Sequence, residues 1–197
     1  MQRIFSQIVL LVGLFFPFAI FADTVQNYIL DPGHTFVVWH INHFGFSNPT
    51  GKWMANGTLA IDEAHPENSK LNVAIKVGDI VTAIPKLDAH LNSADFFDAA
   101  KFPVATFVSD KVDVTGTTAK VSGTLTVHGV SKPVVLDVTL NKNGISPMTQ
   151  NKTLGFTAST TIKRSDFGIN KYLPGLGDDV KLDIEAEASL PPTKTVK

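Results

Sequence analysis

From residue 53 to residue 188 apolar and polar side chains keep changing places one by one. Val180, Leu182, Ile184, Ala186 and Ala188 are interleaved with Lys181, Asp183, Glu185 and Glu187. A period of two sets one group on each side of an extended strand, and a helix cannot satisfy it. Val134, Leu136, Val138 and Leu140 share a face in the same way, as do Leu71, Val73, Ile75 and Val77. Phe156, Ala158, Thr160 and Ile162 make a further face; so do Val121, Gly123, Leu125 and Val127, and Trp53, Ala55, Gly57, Leu59 and Ile61. Residues 35–42 and 104–112 fit additional strands.

Turn signals stand between these runs: Asp31-Pro32-Gly33, Asn48-Pro49-Thr50-Gly51, Thr115-Gly116, His128-Gly129 and Asn143-Gly144. About eight strands joined by short turns pair as antiparallel neighbours. A sandwich and a closed barrel satisfy this pattern equally well. One segment departs from it, residues 85–103. Pro85 suits a first helical turn, Leu87, His90 and Leu91 share a helical face, and Ser93 offers an N-cap for a second short turn. This predicts a short helical crossing near residues 85–100.

The N-terminus reads as a secretory signal peptide over residues 1–22. Arg3 precedes an uncharged apolar run, and Ala22 stands before Asp23. The apolar stretch over residues 8–22 is shorter than the about 20 residues that a membrane span needs. The expected organisation is therefore a leader, one domain over residues 23–190, and a disordered tail at 191–197. Cysteine is absent, so an exported chain of this kind holds together by its core alone. The 17 basic residues nearly balance 18 acidic ones without clustering, which argues against nucleic acid as a partner.

Catalytic signatures are missing. There is no G-x-S-x-G, and Gly175-Leu176-Gly177 precedes a strand and reads as a turn. The six histidines show neither H-x-H nor H-E-x-x-H spacing. In the stretch 39–46, WHINHFGF, His40 shares strand parity with His34, and His43 has the other parity. Both faces of that strand begin apolar, so parity alone leaves its orientation open.

Several sequence blocks now combine. They are His34 with His43-Phe44-Gly45; Gly51-x-Trp53; His90-Leu91-x-Ser93-Ala94-Asp95-Phe96-Phe97; Lys101-Phe102-Pro103 with Ala105-Thr106-Phe107; Gly123-x-Leu125-Thr126 with Gly129-Val130-x-Lys132-Pro133; and Arg164-Ser165-Asp166-Phe167-Gly168. In these blocks, and in their order, the chain resembles the YceI-like family from Tyr28 to Leu190. The resemblance implies an exported, periplasmic protein with an eight-stranded, antiparallel, lipocalin-like barrel. It also implies a long-chain lipid ligand, such as a polyprenyl chain or an isoprenoid quinone. No catalytic residue, metal or cofactor is carried over. Where the family usually has a basic residue before Asp88 this chain has Leu87, which bears on the choice of lipid head group. Dimerisation occurs in the family and leaves a homodimer open, but no exposed apolar patch is legible in the sequence.

The resemblance orients the strands. Val37, Trp39, Ile41 and His43 turn inward and His40 outward. The expected cavity wall is then Val37, Trp39, Ile41, His43, Trp53, Leu59, Ile75, Val77, Phe107, Leu125, Leu136, Phe156 and Ile162. Phe96, Phe97, Phe102 and Phe167 lie outside the strands, where they would close the mouth as a lid or cap the core. Gly57, Gly123, Ala55, Ala158 and Ala186 are small and inward, which favours a hollow barrel over a filled one. Two other readings compete. One is a metal-dependent enzyme using His34, His43 and an acid such as Asp95. The other is an interaction protein with a filled core and an acidic last strand.

Overall fold

The computed structural model describes residues 25–191. The signal peptide expected at residues 1–22 lies outside them, as do residues 192–197 of the tail. The described residues form strands β1 (Val25–Leu30), β2 (Phe36–His43), β3 (Thr50–Met54), β4 (Asn56–Asp62) and β5 (Lys70–Lys76). After helix α1 (Pro85–Leu91) come β6 (Val104–Thr115), β7 (Thr118–Val127), β8 (Val130–Ile145), β9 (Lys152–Lys163) and β10 (Leu176–Ser189).

All strand pairs are antiparallel, in the order β1-β4-β5-β6-β7-β8-β9-β10, and β10 returns to β1 through Ile29 opposite Ser189. The ring is thereby closed, and closure removes the exposed edges that an open sheet would leave. β2 shares the same edge of β10 as β1, running from His43 opposite Leu176 to Phe36 opposite Glu185. β3 pairs with β2 and is separated from β4 by Ala55 alone. β1–β2 and β3–β4 are therefore two long strands, each interrupted once. The ten segments fill eight positions of a closed antiparallel barrel.

The first interruption has a local cause. Asp31 accepts a hydrogen bond from the Gly33 amide at 2.8 Å, and the His34 amide donates to Asp31 O at 3.1 Å. This Asx-type turn holds the chain out of the ladder for one step. Two bulges change strand parity. On β6 the inward residues Ala105 and Phe107 are followed by Val112 and Val114, because the register slips between Ser109 and Lys111. β8 slips likewise between Leu140 and Lys142. On β6 the extra residue lets the apolar row continue inward on the opposite parity, and on β8 it turns Asn143 inward at the turn end.

The crossing between β5 and β6 is helical only in its first part. Pro85 occupies the first turn of α1, and the Asp88 carboxylate accepts the Thr82 amide at 2.9 Å. Ser93 opens the second, non-helical part: its hydroxyl accepts the Asp95 amide at 3.4 Å and donates back to His90 O at 2.7 Å, and the chain continues to residue 101 in turns.

The buried side chains fall into three groups. Trp39, Ile41, Trp53, Ile80, Leu91, Phe96 and Ile169 pack at the end carrying α1, here the helical end. Tyr28, Leu30, Leu154 and Ala188 pack toward the opposite end, here the turn end. Phe107, Val112, Val121 and Leu136 form the third group, on one wall. A filled barrel would join them into one contiguous core; here they surround a space.

Candidate functional site

That space is a cavity of about 1060 Å³ with an overwhelmingly apolar wall. β2 contributes Val37, Trp39, Ile41 and, at its last position, His43. Trp53, Leu59, Ile75, Phe107, Leu125 and Leu136 come one each from β3 to β8, and Phe156 and Ile162 from β9. Val77 follows directly after β5, and Phe96, Phe97 and Phe167 reach the wall from the loops of the helical end. Every residue placed on the wall by strand parity and by the family resemblance thus faces this one space.

Phe102 is an exception among the aromatics expected at the mouth. Its ring covers the β7–β8 turn, 4.7 Å from the His128 ring and close over Gly129, and it does not line the cavity. The expectation for two glycines is also corrected. A Cβ on Gly57 would fall 2.1 Å from Asn72 O, and one on Gly123 would fall 2.4 Å from Val108 O and 2.6 Å from the Phe107 ring. These positions are small because a neighbouring strand and ring press on them. Ala55, Ala158 and Ala186 do line the cavity and leave it room.

Loops that carry no periodicity add residues the sequence did not reveal as wall: Arg164, Ile169 and Tyr172 at the helical end, and Thr117 at the turn end. Leu87, His90 and Leu91 of α1 also reach the wall, and their shared helical face was the available signal.

The helical end is closed by interlocked rings. Phe97 meets Trp53 edge-on at 5.2 Å, and Phe96 meets His90 edge-on at 5.0 Å. Trp53 Nε1 donates to Val77 O at 2.9 Å. The Trp39 ring lies over Gly51 of the paired strand, close enough that a Cβ there would sit 2.8 Å away. Asp95 ties residues 93–101 to the β9–β10 loop. Its carboxylate accepts Lys171 Nζ at 3.1 Å and lies 3.5 Å from His90 Nε2. The Lys171 hydrogen bond holds the Asp95 carboxyl below its ordinary value.

Arg164 is a buried cation in the cavity wall, only 5% exposed. Burial pulls its pKa down, yet a guanidinium stays charged in a protein. Its donors go to main-chain carbonyls: Nε to Gly177 at 2.7 Å, and the terminal nitrogens to Ile169 at 2.9 Å and Leu176 at 3.0 Å. Arg164 therefore pins the loop between β9 and β10. Lys70, the other cationic wall residue, stands at the turn end with Glu63, Thr117, Thr118 and Asn143.

The histidines do not assemble the metal set considered from the sequence. His34 pairs with Asp31 at 2.8 Å on the outside, and Glu187 lies near them. The hydrogen bond raises the His34 pKa and lowers that of Asp31. Among the described residues, no His/Cys/Asp/Glu group of metal-binding geometry includes His43 or Asp95. At about 3.3 Å per residue, the length of β2 separates His34 from His43. His40 points outward, with Nε2 3.2 Å from Asp183. The acidic face of β10 is partly matched: Asp183 meets Lys181 and Glu185 accepts from Thr157.

A closed antiparallel barrel around an apolar cavity is an architecture suited to binding a small apolar molecule. The chain belongs to the YceI-like family, whose domain it matches over residues 28–188. It is 42% identical over 165 residues to a UPF0312 protein of Pseudomonas syringae pv. tomato, covering 82% of this chain and 85% of that one. The Campylobacter jejuni YCEI protein superposes with a TM-score of 0.69 at 34% identity, over 76% of this chain and 90% of that one. A polyisoprenoid binding domain from Saccharophagus degradans shares the fold with a TM-score of 0.62 at 15% identity, covering 85% of this chain and all 100% of that domain.

Proposed function

We propose that this protein binds a long-chain lipid of the isoprenoid or isoprenoid-quinone type inside the barrel, and carries or stores it in the periplasm after export. The observation that carries this reading is the apolar cavity of about 1060 Å³ within the closed barrel. Family membership supports it, as does the shared fold of a domain described as polyisoprenoid binding.

The energetics are sufficient. Each buried CH₂ contributes about 0.8 kcal/mol, so ten give roughly 8 kcal/mol before ordering costs, the scale of micromolar binding. A polyprenyl chain offers more, so affinity does not require a charged anchor. The two cationic wall residues stand at opposite ends, and Arg164 is committed to main-chain carbonyls. A neutral or weakly polar head, such as a quinone, suits this wall better than a diphosphate. The role is binding, without catalysis.

The chain has 2 tryptophans, and Trp39 and Trp53 both line the cavity. Their fluorescence therefore reports on the proposed site. Titration with an isoprenoid quinone should quench it saturably. A saturable response to an isoprenyl diphosphate and none to the quinone or to a polyprenyl alcohol would overturn the head-group assignment. No response to any of them would overturn lipid binding.

A further inference from the structure

The helical end carries aromatic rings that the barrel itself does not use. Phe46, in the β2–β3 loop, is 90% exposed, and Phe44 and Tyr172 are 48% and 50% exposed. Their loops are joined. The Phe44 amide donates to Gly175 O at 3.1 Å, and the Phe44 ring covers Gly175 so closely that a Cβ there would sit 2.5 Å away. The next rim segment adjoins them, because Lys52 and Val81 exchange main-chain hydrogen bonds at 2.9 and 3.0 Å. This brings in Val81 and Ile84, which are 51% and 56% exposed.

Lysines stand among these rings. Residues 44–53, 80–87 and 170–177 contain Lys52, Lys86 and Lys171 and no Asp or Glu, while Asp79, Asp88 and Asp178 border these segments and Lys171 is paired with Asp95, which leaves Lys52 and Lys86 as the cations beside the exposed rings. Phe44 and Tyr172 are also cavity wall, so the apolar interior continues onto the outer surface. At the turn end the cavity is edged by the polar residues Glu63, Lys70, Thr117, Thr118 and Asn143, and the exposed apolar residues there, Ile145 and Met148, do not line it.

Single exposed hydrophobes are ordinary, but a contiguous apolar patch edged with polar and charged residues marks a binding surface. Aromatic rings beside lysines suit the head-group zone of a bilayer carrying anionic lipid. We propose that this rim docks on the surface of an anionic phospholipid bilayer, and that lipid passes between bilayer and barrel through the helical end. The proposal rests on the lipid-binding reading above. A bilayer fits better than a protein partner because a lipid chain leaving past Phe44 and Tyr172 keeps apolar contact throughout.

Flotation with vesicles of phosphatidylcholine, with and without phosphatidylglycerol, tests the docking. The protein should float with the anionic vesicles and be released by high salt. Phe46→Asp should weaken that association about tenfold or more. Met148→Asp, at an equally open position (89%) in the β8–β9 loop of the turn end, should leave it unchanged. All three proteins should still take up a polyprenyl alcohol added from ethanol, since neither position lines the cavity. Uptake without flotation would overturn the docking alone. Flotation without uptake by the unaltered protein would sink the lipid reading, and the transfer route with it. A dimer lost on Phe46→Asp, with no flotation, would assign the surface to a second copy and overturn the proposal.

Discussion

At the turn end of the barrel, short polar connections join the strands, and the rim is made of Thr117, Thr118, Asn143, Glu63 and Lys70. There Lys152 pairs with Glu63 and donates to Gln26 at 3.2 Å, while Tyr28 is fully buried beneath. At the helical end two connections are long, residues 77–103 and 164–175, and rings rather than turns close the space. Non-glycine residues with positive φ concentrate there: Phe44, Ala83, Asp98, His128 and Tyr172, against Gln150 at the turn end. Left-handed conformations at such residues are costly and persist where the surroundings impose them. The same barrel thus has one end built for closure by regular pairing and one end built from side chains that could part.

A plug between the ends has the largest expected effect. Ala158→Trp would fill the middle of the cavity and cut lipid uptake by at least about a hundredfold. Because the space is open, thermal stability should hardly move, whereas overpacking a filled core costs about 1–3 kcal/mol. Calorimetry beside an uptake assay separates the two. At the helical end, Phe96→Ala removes a buried ring, for an expected loss of about 3–5 kcal/mol. It should also speed lipid release about tenfold if that end is the gate, which stopped-flow transfer to acceptor vesicles measures. Equal acceleration by a truncation at the turn end would break the comparison.

Acid should act on the same end. Lys171 lowers the pKa of Asp95, so the contribution of this pair is complete above about pH 4 and is lost as the pH falls through the lower value of the folded group. Release should quicken below that point, and Lys171→Met, which removes the pair at every pH, should give the quickened release already at neutral pH and abolish the acid step. Lys152→Met at the turn end should matter least. Its pair is partly exposed, so a loss of about 1 kcal/mol or less is expected in a denaturation curve, with no change in release.

Much of the barrel was legible because its strands obey a period of two. Trp39, Ile41, Leu125, Leu136 and Ile162 could be placed once one strand had been oriented, and the family resemblance supplied that orientation. Parity does not carry across the bulges of β6 and β8, since an extra residue flips the pattern without changing composition. Arg164 was visible within a motif, but its role was not, because its partners are main-chain carbonyls 5, 12 and 13 residues on, across a loop without periodicity. Gly57 and Gly123 suggested empty space, whereas close approach of neighbouring strands explains them. Phe44, Phe46 and Tyr172 stand in loops, where sequence does not say which rings touch the core and which face outward.

The central claim is that the barrel holds a lipid, and mass spectrometry of an organic extract of the purified protein tests it most directly. The account predicts a long-chain, neutral-headed lipid in roughly stoichiometric amount, absent from an extract of Ala158→Trp. An extract with no such lipid, from protein that also fails to take up a polyprenyl alcohol or an isoprenoid quinone, would contradict it.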